Sequence, residues 1–142
     1  MAKKAVKRPA KKTQKTVSSG KAEKIAYICA KTADDHMAEN VMTLKVSGLS
    51  VIADYFVLCT GNSIPHISAI TDSIVKEVRE KMDLRPRTID GVPASLWTVI
   101  DFGSVIVHVL SPKMREQYNL ESLWGDAPKI ETLKLLAKKS LA

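Results

Sequence analysis

The stretch "DYFVLCTGNSIPHISAITDSI", Asp54 to Ile74, gathers residue types that can do chemistry. An apolar run breaks at Thr60-Gly61-Asn62-Ser63, and Pro65 and His66 follow before a periodic segment begins. A turn of this kind at the start of a helix can hold an anion on free backbone N–H groups and the positive end of the helix dipole. Gly61 permits tight backbone approach, and Asn62 and Ser63 offer polar tips. It is not a P-loop, because it lacks the second glycine and the Lys-Ser/Thr pair. It is not a G-x-S-x-G nucleophile elbow either. His66 and Asp72 lie six residues apart on one helix and face apart, so they form no relay with Ser63. Helix capping by Ser63, with Pro65 in the first turn where its missing N–H costs nothing, accounts for the same residues without catalysis.

Transfer of a nucleotide would need clustered carboxylates to hold a divalent cation near the phosphates. The candidate strands carry Asp54 and Asp101 singly, with no D-x-D or D-x-E. The two cysteines, Cys29 and Cys59, each sit inside an apolar pattern, which reads as buried and reduced. No CxxC and no Cys/His cluster is present, so a structural zinc site is not expected. No catalytic residue, cofactor or metal follows from the sequence.

The clearest local unit is "LWTVIDFGSVIVHVL". Two strands, Trp97 to Phe102 and Val105 to Leu110, flank Gly103-Ser104, and glycine in the first loop position fits a type II′ turn. Phe102 then pairs with Val105 and Val99 with His108. Side chains alternate, so one face carries Thr98, Ile100, Phe102, Val105, Val107 and Val109 and belongs under helices. The other carries Trp97, Val99, Asp101, Ile106, His108 and Leu110. Either a helix covers this second, mixed face, or it is an open sheet surface for a protein partner. A central aromatic among aliphatics and a few polar groups is the composition of an interface hot spot and slightly favours the second. Asp101 and His108 are diagonal neighbours within hydrogen-bonding reach.

These residues need elements to position them. Ile25, Ile28, Cys29 and Ala33 recur at helical spacing, which predicts a helix from about Ala22 to Met37. Val41 to Val46 and Tyr55 to Thr60 read as strands. Ile67, Ile70, Ile74, Val78 and Met82 mark a helix ending near Leu84, because Pro86 disfavours helix at Arg85. A loop with Asp90-Gly91 and Pro93 leads into the hairpin. Pro112 opens a helix running through Tyr118 to about Trp124, Asp126-Ala127-Pro128 breaks it, and Ile130 to Ala137 reads as a final short helix. The passage from Tyr55 to Trp97 permits a parallel crossover and the hairpins add antiparallel pairs. The fold class is α/β, a mixed β-sheet with flanking helices.

The 142 residues suit one domain with a single core. No apolar run approaches the roughly 18 residues that span a bilayer. The formal charge of +7 is unevenly placed. Residues 1–21 hold 8 of the 22 basic residues and no acid, while the rest holds 14 basic and 15 acidic residues, a net −1. Residues 1–21 therefore read as a disordered Lys-rich tail, 22–128 as the α/β domain and 129–142 as an extension. Lys3, Lys4, Lys7, Arg8, Lys11, Lys12 and Lys15 either touch nucleic-acid phosphate or only solubilise the chain.

Three blocks, "DYFVLCTGNSIPHISAITD", "LWTVIDFGSVIVHVL" and "REQYNLESLWGDA", together resemble the ribosomal silencing factor family, also called RsfS or Iojap-like. The likeness runs from about Glu23 to Ala127. It implies a nucleotidyltransferase-like fold without the catalytic acids, and a protein that is not an enzyme. It also implies binding to the large ribosomal subunit through ribosomal protein L-fourteen, which blocks association with the small subunit and represses translation, with a link to large-subunit maturation. A family tryptophan in the first hairpin strand contacts the ribosomal partner, and Trp97 matches it. Val99, Asp101 and His108 share its predicted face and are expected partner-binding residues. Tyr118, Leu120, Glu121, Leu123 and Trp124 match the family's last helix block, as contacts or as packing. A bacterial cytoplasmic protein is implied, an organellar homologue staying open, and a homodimer that hides the Trp97 face would compete with the ribosome. A nucleotide-dependent enzyme, or a general RNA binder acting through the tail, are the alternative readings.

Overall fold

The structure is a computed structural model and describes residues 19–46, 53–119 and 129–130. The expected Lys-rich contacts from Lys3 to Lys15, and Leu120, Glu121, Leu123 and Trp124, lie outside the described residues.

Helix α1 spans Ser19–Asp35 and starts three residues before the predicted Ala22, so residues 19–21 belong to the helix and not to the tail. Ala22, Ile25, Ala26, Cys29, Ala30 and Ala33 recur three and four apart and are all buried. The helix stops where Met37 turns left-handed (φ 64°). The Ala38 N–H then reaches back to the Ala33 carbonyl and the Met37 N–H to the Asp34 carbonyl, which closes the last turn as a Schellman cap.

Strand β1, Glu39–Lys45, pairs antiparallel with β2, Tyr55–Thr60, across a register irregularity between Glu39 and Met42. Helix α2, Ile64–Met82, follows and buries Ile67, Ile70, Ile74 and Val78 of its predicted stripe together with Thr71, while Met82 is only partly buried. Each aliphatic in that stripe contributes roughly 1.5–3 kcal/mol by leaving water. The helix ends two residues before the predicted Leu84, because Asp83 adopts a left-handed cap (φ 53°) and its N–H bonds the Arg79 carbonyl.

Strands β4, Trp97–Asp101, and β5, Val105–Leu110, form the predicted hairpin with Val99 opposite His108. Gly103 takes φ 94°, as the first position of a II′ turn requires, and the Phe102 N–H donates to the Val105 carbonyl (2.9 Å).

Two short strands differ from expectation. Thr88–Asp90, read as loop, is β3 and pairs antiparallel with β4 at the sheet edge. Lys129–Ile130 is β6 and pairs with Thr43 and Leu44 of β1, so Ile130 begins no helix; residues 131–137 of that expected helix lie outside the described residues. The third helix, α3, spans Pro112–Tyr118 and stops well short of Trp124, because Asn119 turns left-handed (φ 38°), a conformation its short polar side chain tolerates.

The sheet is mixed, in the order β3-β4-β5-β2-β1-β6, which gives the α/β class. Its parallel pair is β2 with β5. The parallel pairing that the passage from Tyr55 to Trp97 permits is made by β5 and not by β4, which is antiparallel to β5 and so to β2. Helices α1 and α2 cover one face, where Ile100, Phe102, Val105, Val107 and Val109 join their buried stripes, as the hairpin alternation predicts. A second cluster lies on the opposite face, built from Leu44, Val46, Ala53, Phe56, Leu58, Trp97, Ile106 and Leu110.

Candidate functional site

The polar tips of the Thr60-Gly61-Asn62-Ser63 turn are engaged internally. Ser63 Oγ accepts from the His66 N–H (3.2 Å), and His66 Nδ1 accepts from the Asn62 N–H (3.0 Å). His66 Nε2 meets the His36 carbonyl (2.8 Å), and Asn62 Nδ2 donates to Glu39 (3.2 Å). Because Nδ1 accepts, the neutral ring carries its proton on Nε2 and donates to His36, tying the turn to the end of α1. Gly61 is required by close approach: a Cβ there would stand 2.7 Å from Ile67 Cγ1. Asp72 is exposed on α2 and shares no contact with Ser63 or His66. The turn joins strand to helix and caps the helix, a contribution of about 1 kcal/mol.

Both thiols are buried and unpaired by disulfide. Burial pushes them up, Cys59 to about 12 with Arg115 opposing, so neither supplies a thiolate at neutral pH. Among the described residues, no group of three or more His, Cys, Asp or Glu side chains comes together as metal ligands would.

The mixed hairpin face is the richer candidate, and its register explains its geometry. On β5, His108 stands opposite Val99 of β4 and opposite Leu58 of β2. Trp97 faces Leu110 and Phe56 faces Ile106, so both aromatics are diagonal neighbours of His108, within reach of large rings. Trp97 Nε1 donates to His108 Nδ1 (3.3 Å) with ring centroids 6.2 Å apart, and Phe56 meets the imidazole edge-on at 5.5 Å. From α3, Tyr118 lies against Trp97 with centroids 4.9 Å apart. A row of four rings thus crosses β2, β5, β4 and α3.

The row runs from interior to surface. His108 is 1% exposed, Trp97 8% and Tyr118 46%. The open sheet surface expected from composition is therefore a covered one, because α3 lays Met114 and Tyr118 over the Trp97 end of a large apolar cluster. Val99 and Asp101 remain half-exposed on β4. Of the four expected contact residues, His108 has no surface to offer and Trp97 offers only an edge. The hydrogen bond within reach of Asp101 and His108 as diagonal neighbours is not formed. Asp101 Oδ1 accepts instead from the Gly103 N–H (2.7 Å), stabilising the turn, and His108 closes the other diagonal with Trp97.

Burial in these apolar surroundings lowers His108 to about 4, so the ring is neutral at pH 7. With Nδ1 accepting from Trp97, its proton sits on Nε2, which finds no hydrogen-bond acceptor among the described residues.

Helix α3 is held by Arg115, one turn before Tyr118. Its Nη1 donates to the Asn40 carbonyl (2.7 Å) and to Thr60 Oγ1 (3.0 Å). Asn40 is left-handed (φ 50°) within the irregular stretch of β1. Sequence reasoning did not find Arg115, whose partners lie 75 and 55 residues away. The placement of Tyr118 had a usable signal: Met114 and Tyr118 are four apart and share a helix face.

The family described as "Ribosomal silencing factor during starvation" has a sequence profile that matches residues 19–141. The chain is 38% identical over 109 residues to "Ribosomal silencing factor RsfS" of Halalkalibacterium halodurans, covering 77% of this chain and 92% of that protein. It is 35% identical over 89 residues to "Mitochondrial assembly of ribosomal large subunit protein 1" of Mus musculus, covering 61% of this chain and 39% of that protein. Among solved structures, a crystal structure of a Chromobacterium violaceum protein superposes with a TM-score of 0.70 at 25% identity, over 73% of this chain and 86% of that one. The profile spans every described residue, the bacterial relative is matched almost end to end, and the chain belongs to the ribosomal silencing factor family.

Proposed function

We propose that this chain is a non-catalytic repressor of translation that binds the large ribosomal subunit through ribosomal protein L-fourteen and thereby blocks joining of the small subunit. The observation that carries the reading is the ring row ending in a half-exposed Tyr118 on a buried Trp97, with half-exposed Val99 and Asp101 further along the same face of β4. An aromatic on a well-packed base, ringed by aliphatic and polar groups, is how interface hot spots are built. Tyr118 presents apolar area and a hydroxyl with little rotamer freedom to lose. Family membership supports a ribosomal partner, and the name of the mouse relative supports the large subunit and a part in its maturation. In a bacterium such a protein works in the cytoplasm.

The test is sedimentation with separated large and small subunits. The wild-type chain travels with the large subunit alone, and added chain lowers the yield of joined ribosomes. Sedimentation with neither subunit contradicts the reading. A dimer that occludes Tyr118 would show as binding that weakens at high protein concentration.

The basic tail adds a second, salt-sensitive contact with ribosomal RNA. Helix α1 begins at Ser19, so removing residues 1–18 leaves it whole. The truncated chain should bind more weakly at low salt, with a shallower dependence of log affinity on log salt, because each phosphate contact contributes roughly 0.7–0.9 to the slope. An unchanged slope would assign the tail to solubility alone. Loss of all binding would transfer the main contact to the tail.

A further inference from the structure

His108 is the least accessible polar group in the ring row, yet it is the one that touches both aromatics buried with it. Its Nδ1 is the only hydrogen-bond partner recorded for the Trp97 indole N–H among the described residues. Trp97 in turn lies against Tyr118. The tilt of the indole therefore determines where the phenol can rest. An indole can slide or flip on an aliphatic surface, because apolar contact is non-directional. A hydrogen bond at a fixed register position is directional and removes that freedom.

We infer that His108 is a positioning residue: its Nδ1 fixes the Trp97 indole, and through it the Tyr118 surface that a partner touches. The inference rests on the docking role proposed for that surface, and it explains a polar group in an otherwise apolar cluster. The second ring nitrogen bears a proton without an acceptor among the described residues, a cost that leucine or valine at this position would avoid. An acceptor is supplied to Trp97 at the expense of an unsatisfied donor, which is the pattern of a group selected for geometry over stability.

The experiment compares the full-length wild type with His108→Leu, His108→Asn and Trp97→Phe. Asn Oδ1 stands close to the place of imidazole Nδ1 and keeps an acceptor, whereas Leu keeps bulk and loses it. Two readouts are taken. The first is the Trp97 indole N–H resonance by NMR, assigned by its disappearance in Trp97→Phe. The second is affinity for purified large subunits by sedimentation. His108→Leu should shift the indole resonance and weaken affinity by roughly threefold to tenfold, the loss of one neutral hydrogen bond. His108→Asn should return both towards wild type. An indole resonance unmoved in His108→Leu overturns the inference, as does a moved resonance with unchanged affinity. If His108→Leu does not fold, Trp97→Phe removes the same bond from the donor side, and unchanged affinity there overturns it equally. A wild-type chain that does not sediment with large subunits refutes the docking role, and the resonances alone then decide whether His108 holds Trp97.

Discussion

Replacing Trp97 with alanine should lower the unfolding free energy by about 3–5 kcal/mol and remove large-subunit binding with it. The indole is buried among Phe56, Leu58, Ile106 and Leu110, and it is the platform for Tyr118. Truncation opens a cavity that the flat strands cannot close. It also strips His108 of its hydrogen-bond donor, so a buried acceptor is orphaned. Domains of this size have about 5–15 kcal/mol in all, so the variant sits near the edge of folding. Urea unfolding at pH 7 measures the loss. A change below about 1 kcal/mol would mean the ring is not buried as described, since surface substitutions rarely exceed about 0.5 kcal/mol. Lost binding in Trp97→Ala is thus no proof of contact, because the platform fails along with the surface above it.

Acid should destabilise the fold through His108, by about 3 kcal/mol between pH 6.5 and pH 4. Its folded-state value, about 4, lies below the ordinary 6.5 because burial penalises the imidazolium. The unfolded chain therefore takes up the proton first. The contribution is fully present above pH 6.5, falls as pH drops through that window, and is gone below the folded value. Protonation would also place an N–H on Nδ1 against the indole N–H, turning an attraction into a clash of donors. Denaturant midpoints at several pH values, compared between wild type and His108→Leu, isolate the effect from that of the carboxylates. The wild type should lose stability relative to His108→Leu by about 3 kcal/mol as pH falls from 6.5 to 4, so the gap between the two curves changes with pH. Parallel curves across that range would show that His108 is solvated.

The hairpin shows what was legible in the sequence. Gly103-Ser104 sets the turn, the turn sets the register, and the register sorts Thr98 to Val109 into two faces. The α2 stripe and its Ser63 cap follow from local spacing in the same way. What stayed hidden depends on distant chain. Strand β3 is three exposed residues with no apolar pattern, and it exists because β4 offers an edge. Strand β6 exists because β1 offers the other edge. Alternation places Asp101 and His108 on one face, but it does not say which diagonal closes. Asp101 has a nearer donor in the Gly103 N–H, and His108 is left to Trp97. Nor does alternation say whether a mixed face is open. That depends on α3, whose position is held by Arg115 reaching back to Asn40 and Thr60. Local alternation thus assigns the candidate residues to one face and says nothing of their depth. Trp97 and His108 form the base, and Tyr118, seen in the sequence only as part of a helix block, is the exposed top.

The claim that this surface docks on the ribosome is tested most directly by Tyr118→Glu. Tyr118 is 46% exposed and lies in the last turn of α3, so the change costs little folding stability, which thermal unfolding can verify. It puts a charge at the centre of the proposed contact, where desolvation is expensive. The measurement is sedimentation of the folded variant with purified large subunits beside the wild type. The wild type should appear in the large-subunit fraction and Tyr118→Glu should remain at the top of the gradient. A folded Tyr118→Glu chain that travels with the large subunit as the wild type does would contradict the account.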